Sequence, residues 1–160
     1  MIDILEADLS KPQHQAAVLE LTRAYARDPM GNGGDLSQAI QTVLVDRLRE
    51  HPTTLIFLAL HGHQPVGIAT CFLGFSTFAA RHLINVHDLH VLSEFRRHGI
   101  ARRLLQTVEA RGRQLDCCKL TLEVQEKNHA AQALYRSLGF QGSQHEPEAG
   151  AVLFREKKLS

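Results

Sequence analysis

The residues best suited to chemistry run from Leu89 to Ala101: Leu89-His90-Val91-Leu92-Ser93-Glu94-Phe95-Arg96-Arg97-His98-Gly99-Ile100-Ala101. An apolar alternation stops here, a basic triplet follows, and small residues then open an amphipathic segment. A helix start presents backbone N–H groups that have no intrahelical acceptor, together with partial positive charge, and so favours an anion. Gly99 and Ala101 are small enough to let a diphosphate approach the backbone. Arg96, Arg97 and His98 add charge-assisted donors. Without further context the same residues also describe a solvated basic turn before an ordinary helix, because short motifs are weak signals.

The elements that must position this turn are legible from periodicity. Leu83 to Val91 reads as a strand whose alternation slips: Ile84 and Val86 share a parity, whereas Leu89 and Val91 have the opposite one. One extra residue near His87-Asp88, a β-bulge, puts all four on one face. After the turn, Ile100, Ala101, Leu104, Leu105 and Val108 mark an amphipathic helix. Cys118, Leu120, Leu122 and Val124 then alternate with polar residues as a strand. A further helix carries Ala131, Leu134 and Leu138 and stops at Gly139, which suits a left-handed cap before Phe140.

Upstream, Ile2 and Ile4 begin a strand, and Pro12 opens a helix with Ala17, Val18, Leu21 and Tyr25 on its apolar face. Asp28-Pro29-Met30-Gly31-Asn32-Gly33-Gly34 reads as a flexible loop. Asp35, with Gln38 three residues on, reads as the cap of a second helix striped by Leu36, Ala39, Ile40, Val43, Leu44 and Leu48. Thr54 to Leu60 and Val66 to Leu73 form a hairpin of buried strands, and Ala151 to Arg155 reads as a last strand.

With 160 residues, 44% of them hydrophobic, the chain has the size of one globular domain, spanning 1–160. Lys plus Arg (18) nearly balance Asp plus Glu (17), so no global field recruits nucleic acid or an anionic membrane. The start Met1-Ile2-Asp3-Ile4-Leu5-Glu6 has no basic stretch before an apolar run, and no segment reaches a membrane-span length; a cytoplasmic protein is expected. Cys71, Cys117 and Cys118 fit neither a disulfide framework nor a metal motif. His61-Gly62-His63 and His87-x-x-His90 look like metal pairs, but residues three apart on a strand face opposite sides and no further ligands complete a set, so no metal is expected.

Arg96, Gly99 and Ala101 match a pattern of Gln or Arg, two residues, Gly, one residue, then Gly or Ala. Glu123-Val124 through Phe140, with Asn128, Ala131, Ala133, Leu134, Tyr135, Gly139 and Phe140, ends in Leu-Tyr, three residues, Gly-Phe. On these two linked motifs the chain resembles the GNAT superfamily of N-acetyltransferases. The likeness covers about residues 54 to 140, whereas the first fifty residues agree in element order only. Ala101 replaces the commoner glycine.

The resemblance implies an α/β fold with a mixed, mostly antiparallel central sheet, splayed at a β-bulge and flanked by helices. It implies acetyl-CoA as cosubstrate, with the pantetheine arm on the main chain of Leu89, His90 and Val91. The diphosphate would lie on Arg97, His98, Gly99, Ile100, Ala101 and Arg102, and Asn128 would bond the pantetheine. Tyr135 corresponds to the family tyrosine that protonates, or hydrogen-bonds to, the departing sulfur. A freed N–H at the bulge could receive the thioester oxygen as charge develops there.

An alkylamine acceptor is protonated near neutrality, with a reference pKa of about 10, so attack requires a base or a water chain. His87, Asp88 and Glu123 are the candidates. His87-Asp88 stands where the diamine acetyltransferase branch has Glu-Asp, which keeps a base and changes its type. No cysteine lies in either motif, which favours direct transfer in a ternary complex over a thiol-bound intermediate. Asp28, Asp35 and Asp88 are acids that could attract a small cationic amine, and Phe75-Ser76-Thr77-Phe78 is either an acceptor loop or a simple connection. A protein acceptor and a non-catalytic acyl-CoA-binding module remain the rival readings, and the resemblance suggests a homodimer.

Overall fold

The computed structural model describes residues 1–142 and 154–159, and the chain forms two compact units, Met1–Glu123 and Val124–Ser160. In the first unit, β1 (Ile2–Glu6) leads into α1 (Pro12–Arg27), α2 (Gln38–Glu50), β2 (Thr54–His61), β3 (Gln64–Ser76) and β4 (Arg81–Val91). A short 3-10 turn at Ser93–Phe95 precedes α3 (Ile100–Gln114) and β5 (Leu120–Leu122). The five strands form one sheet in sequence order, antiparallel except for the parallel β4–β5 pair.

The sheet has an apolar layer on each face. Towards α1 lie Ile56, Leu58 and Ile68, packed with Ala17, Val18 and Leu21. On the opposite face the register groups Phe57, Ala69, Cys71, Ile84, Val86 and Val91, where α3 supplies Ile100, Leu104, Leu105 and Val108, all buried. Gly67 makes room on that face: a Cβ there would meet Val91 Cγ2 at 3.3 Å and Ile100 Cγ2 at 3.4 Å. Burying a leucine of this kind contributes about 1.5–3 kcal/mol, so these contacts fix α3, and with it the turn at its start, against the sheet.

The parity slip in β4 is a bulge. Thr70 pairs with Asp88 and Cys71 with Val86, so His87 is the extra residue, and Ile84, Val86, Leu89 and Val91 share the α3 face. The parallel partner ends early: β5 pairs with β4 only from Ile84 to Val86. Past the bulge, β4 therefore has no neighbour on its β5 side among the described residues.

Several expectations are corrected. Ser37, not Asp35, caps α2, its hydroxyl accepting from the Ile40 N–H at 3.4 Å. Asp35 is instead drawn to the side chains of Arg23 (2.7 Å) and Arg27 (3.0 Å). No α2 residue is buried, and Ile40 and Val43 are nearly half exposed, so that stripe covers the core only at its edge, where Val45 and Leu48 pack. The regular part of the strand expected from Cys118 to Val124 is the three residues Leu120–Leu122. Of the strand expected from Ala151 to Arg155, residues 151–153 lie outside the described residues, and Phe154 and Arg155 are not in a strand.

In the second unit, α4 (His129–Ser137) starts at Asn128, whose Oδ1 accepts from the Ala131 N–H at 3.1 Å. It closes on Gly139 at φ 86°, with the Gly139 N–H donating to Arg136 O and the Phe140 N–H to Tyr135 O, each at 3.0 Å. This pair of bonds is a Schellman closure, and it brings the Phe140 ring to 5.8 Å from that of Tyr135. The Leu-Tyr, three residues, Gly-Phe spacing is thus a mechanical unit that fixes the tyrosine on the last helical turn.

Candidate active site

The start of α3 is built to meet an anion. Arg97 (φ 66°) and Gly99 (φ 75°) both adopt left-handed backbone, turning the chain so that Gly99 caps the helix without any side-chain cap. The first helical bond runs from the Arg103 N–H to Gly99 O at 3.1 Å. The N–H groups of Ile100 and Ala101 have no intrahelical acceptor and lie at the helix mouth. A Cβ on Gly99 would touch nothing within 4 Å, so the space before these donors is open. Ile100 is 2% exposed and anchors the turn in the core. Arg97 is exposed, with no side-chain partner among the described residues, and His98 Nδ1 lies 3.3 Å from Phe95 O.

Arg96 faces the other way. Its Nε donates to Val91 O at 2.9 Å, and its Nη2 is bonded to the carboxylate of Asp28, which is only 12% exposed. Burial would raise the Asp28 carboxyl, but the Arg96 hydrogen bond, the Met30 N–H and the Arg96 charge outweigh it and hold the group below the usual carboxylate range. Nearby, the Tyr25 and His90 rings lie 5.5 Å apart. Burial, followed by the Arg96 charge, pulls the His90 imidazole down in pKa, with Asp28 opposing. Hence His90 is held towards its neutral form, suited to a residue whose main chain forms part of the strand edge.

His87 and Asp88 stand at the bulge with different surroundings. His87 is exposed, outside the strand register, with its ring edge-on to Phe72 at 5.6 Å. Phe72 meets His51 on another edge at 5.1 Å. Asp88 pairs with Thr70 and so faces α1. Its carboxylate has no hydrogen bond or ion pair among the described residues; burial raises its pKa and the His87 charge only partly offsets this. The same burial raises Tyr25, with the Asp88 and Asp28 charges adding to it. A half-buried, unpaired carboxylate is costly unless something cationic completes it.

Of the three acids expected to draw a cation, two are thus already taken: Asp28 by Arg96, and Asp35 by Arg23 and Arg27. Asp88 alone is unpaired among the described residues. Glu123 is exposed, one residue past β5. Phe75 and Phe78 lie at the β3–β4 end, 58% and 105% exposed. Cys71 is buried and pushed up to about 12 by that burial and by the Asp88 charge, which disarms it as a nucleophile. Among the described residues no group of three His, Cys, Asp or Glu side chains could hold a metal ion, and no helix is long and apolar enough to cross a membrane.

Sequence reasoning missed Tyr25 and Phe72 as neighbours of the bulge. The signal was present, since Thr70 and Phe72 share a strand parity and Tyr25 lies on the core-facing stripe of α1.

In the second unit, the Asn128 side-chain oxygen is occupied as a helix cap, and Tyr135 is half-buried on the last turn of α4.

Comparison with known proteins agrees with this arrangement. A family model described as the acetyltransferase (GNAT) family matches residues 17–140. A thialysine N-epsilon-acetyltransferase of Caenorhabditis elegans is 30% identical over 84 residues, which is 52% of this chain and 52% of that protein. The match thus spans about half the length of that relative. Among solved structures, a probable acetyltransferase superposes with a TM-score of 0.79 at 24% identity, covering 98% of this chain and 99% of the other. AAC(6')-Iy, solved with the bisubstrate analog CoA-S-monomethyl-acetylneamine, superposes with a TM-score of 0.76 at 16% identity, covering 99% of each chain. Both likenesses speak for the fold. The bulged strand, the anion-ready helix start and the family match over most of the chain agree, and this protein belongs to the GNAT acetyltransferase family.

Proposed function

We propose that the protein transfers the acetyl group of acetyl-CoA to a primary amine of a small molecule, directly, within a ternary complex, and that the whole chain acts as one such domain. One observation carries this reading: the bulge sets an exposed His87 and an Asp88 carboxylate at the head of a strand edge, both the carboxylate and the edge without a partner among the described residues, and that edge runs into the anion-ready start of α3. The cosubstrate fits the residues present. Main-chain groups of Leu89, His90 and Val91 suit the pantetheine amides, and the N–H groups from Arg97 to Arg102, with the Arg97 guanidinium, suit the diphosphate.

Asp88 attracts and orients a cationic acceptor, gaining the counter-charge it lacks. His87 removes a proton from the ammonium, and the amine nitrogen then attacks the thioester carbonyl carbon. Main-chain N–H at the bulge steadies the oxygen as charge develops there. The C–N bond forms, the C–S bond breaks, and the sulfur leaves as a thiol on taking a proton. We assign that proton to the Tyr135 hydroxyl on the strength of the family likeness, the tyrosinate regaining a proton as the bonded nitrogen sheds its second one, and we assign contact with the pantetheine to Asn128 on the same ground. Two similar proteins, a thialysine N-epsilon-acetyltransferase and AAC(6')-Iy with its CoA-acetylneamine bisubstrate analog, support an amine as acceptor. A homodimer in the cytoplasm completes the reading.

The test follows free thiol release from acetyl-CoA over a panel comprising a diamine, an amino acid with a neutral side chain and a lysine-containing peptide. The expected result is the highest kcat/KM for the diamine. A much better peptide would make this a protein acetyltransferase, and CoA binding without turnover on any acceptor would make it a binding module. Tyr135→Phe should lower kcat roughly 10- to 1000-fold with CoA affinity nearly unchanged, as befits a group acting mainly in the transition state. Wild-type kcat in that variant would return Tyr135 to a packing role against Phe140.

A further inference from the structure

The loop after α1 is anchored at each end of its span. Asp28 N–H caps the helix on Ala24 O and Tyr25 O, and the Asp28 carboxylate accepts the Met30 N–H at 2.9 Å. Gly31 N–H donates to Asp28 O at 2.8 Å, and the N–H groups of Asn32 and Gly34 return to Ala26 O at 3.2 and 3.1 Å. Gly31 sits so close to the helix end that a Cβ would lie 2.0 Å from Tyr25 O. The expected flexible loop is a tight cap, and its carboxylate reaches Arg96.

Arg96 in turn spends its Nε on Val91 O, the last residue of the strand edge, one turn before the helix mouth. We infer that Arg96 is a positioning residue rather than a phosphate ligand: its guanidinium staples the Asp28 loop to the end of β4, so that this loop and the turn at Arg97–Ala101 move as one unit. This rests on the reading of that turn as the CoA site. Two acceptors that diverge from one guanidinium demand its planar fork, which an ammonium cannot reproduce. A nearly buried carboxylate left without that fork loses its compensation, and the loop must then open to water. By reciprocity, whatever orders the turn must order the loop to the same extent.

The experiment uses CoA as probe, by calorimetry, on Asp28→Asn, Arg96→Gln, Arg96→Lys and the Asp28→Asn/Arg96→Gln double variant. It adds hydrogen exchange at the amides of Gly31, Asn32 and Gly34 without ligand. A staple predicts that both single variants weaken CoA binding by a similar factor, about 5- to 30-fold, that the double variant is no worse, and that Arg96→Lys behaves like Arg96→Gln. It also predicts about tenfold faster exchange at the three amides in Arg96→Gln, and CoA-induced slowing at those amides in the wild type only. Near wild-type CoA affinity in Arg96→Lys or in Asp28→Asn, alongside a large loss in Arg96→Gln, would make Arg96 a phosphate donor. Unchanged exchange in Arg96→Gln would remove the staple. A wild type that does not bind CoA would overturn the functional reading instead, while the exchange result still decides the staple.

Discussion

The turn before α3 and the loop after α1 both depend on glycine, for opposite reasons. Gly99 needs its left-handed backbone at φ 75°, and nothing lies within 4 Å of where a Cβ would go. Gly31 has no positive φ, but a Cβ there would lie 2.0 Å from Tyr25 O. At one glycine the neighbouring space is open; the other is needed because the protein has already filled the space. A glycine in a loop therefore marks a ligand approach only when the neighbouring volume is empty and backbone donors face it.

The sharpest way to break that contrast is Gly99→Glu. A carboxylate placed before the α3 donors should weaken CoA binding on the order of 100-fold or more, with the circular dichroism spectrum unchanged, because it occupies and repels the anion site. Retained calorimetric affinity would mean that the open volume is not the phosphate site. The two alanine variants should then cross over. Gly31→Ala forces backbone apart and should cost about 1–3 kcal/mol, a fall in Tm of roughly 3–10 °C. Gly99→Ala meets only the left-handed penalty of about 1 kcal/mol. Equal melting shifts would erase the distinction.

A smaller effect separates the two carboxylates beside these regions. Asp28 is held below its ordinary pKa by Arg96 and Met30 despite burial, so its charged form stabilises the fold above the unfolded pKa and that contribution is lost as pH falls through the lower folded value. Asp28→Asn should therefore destabilise at neutral pH and approach the wild type in acid. Asp88 is raised by burial, with His87 opposing, so its ionisation on raising the pH costs stability. Asp88→Asn should stabilise the ligand-free protein at neutral pH, the gain fading below the ordinary carboxylate range, while raising KM for a diamine. Denaturant melts across pH check both signs; the same sign for both would refute the comparison.

These differences also explain what was legible in the sequence. The bulge at His87 could be read because a strand period of two makes one inserted residue visible as a change of parity. Gly139 as a helix stop and the small residues opening α3 follow from local backbone chemistry in the same way. The partner of Arg96 lies 68 positions away at Asp28, and no local pattern encodes such a contact. Asp35 misled for a related reason: its spacing to Gln38 mimics a capping pair, but two arginines on α1 hold it more strongly than one N–H would. The α2 stripe has helical spacing, yet periodicity states which residues share a face and not how much of that face is covered.

The early end of β5 at Leu122 has a consequence for handling and survival of the protein. Among the described residues it leaves the stretch of β4 beyond Val86 without a strand partner on that side, a border that an extended chain could pair with. Natural proteins usually blunt such borders with charge or a covering segment, and here a bulge with His87 and Asp88 stands at its mouth. A thioester whose arm carries its own amide groups would complete the sheet as a detachable strand. If CoA binds there as proposed, its occupancy would also protect against self-association: the ligand-free protein should then scatter light on concentration and incubation well before the CoA-saturated one does.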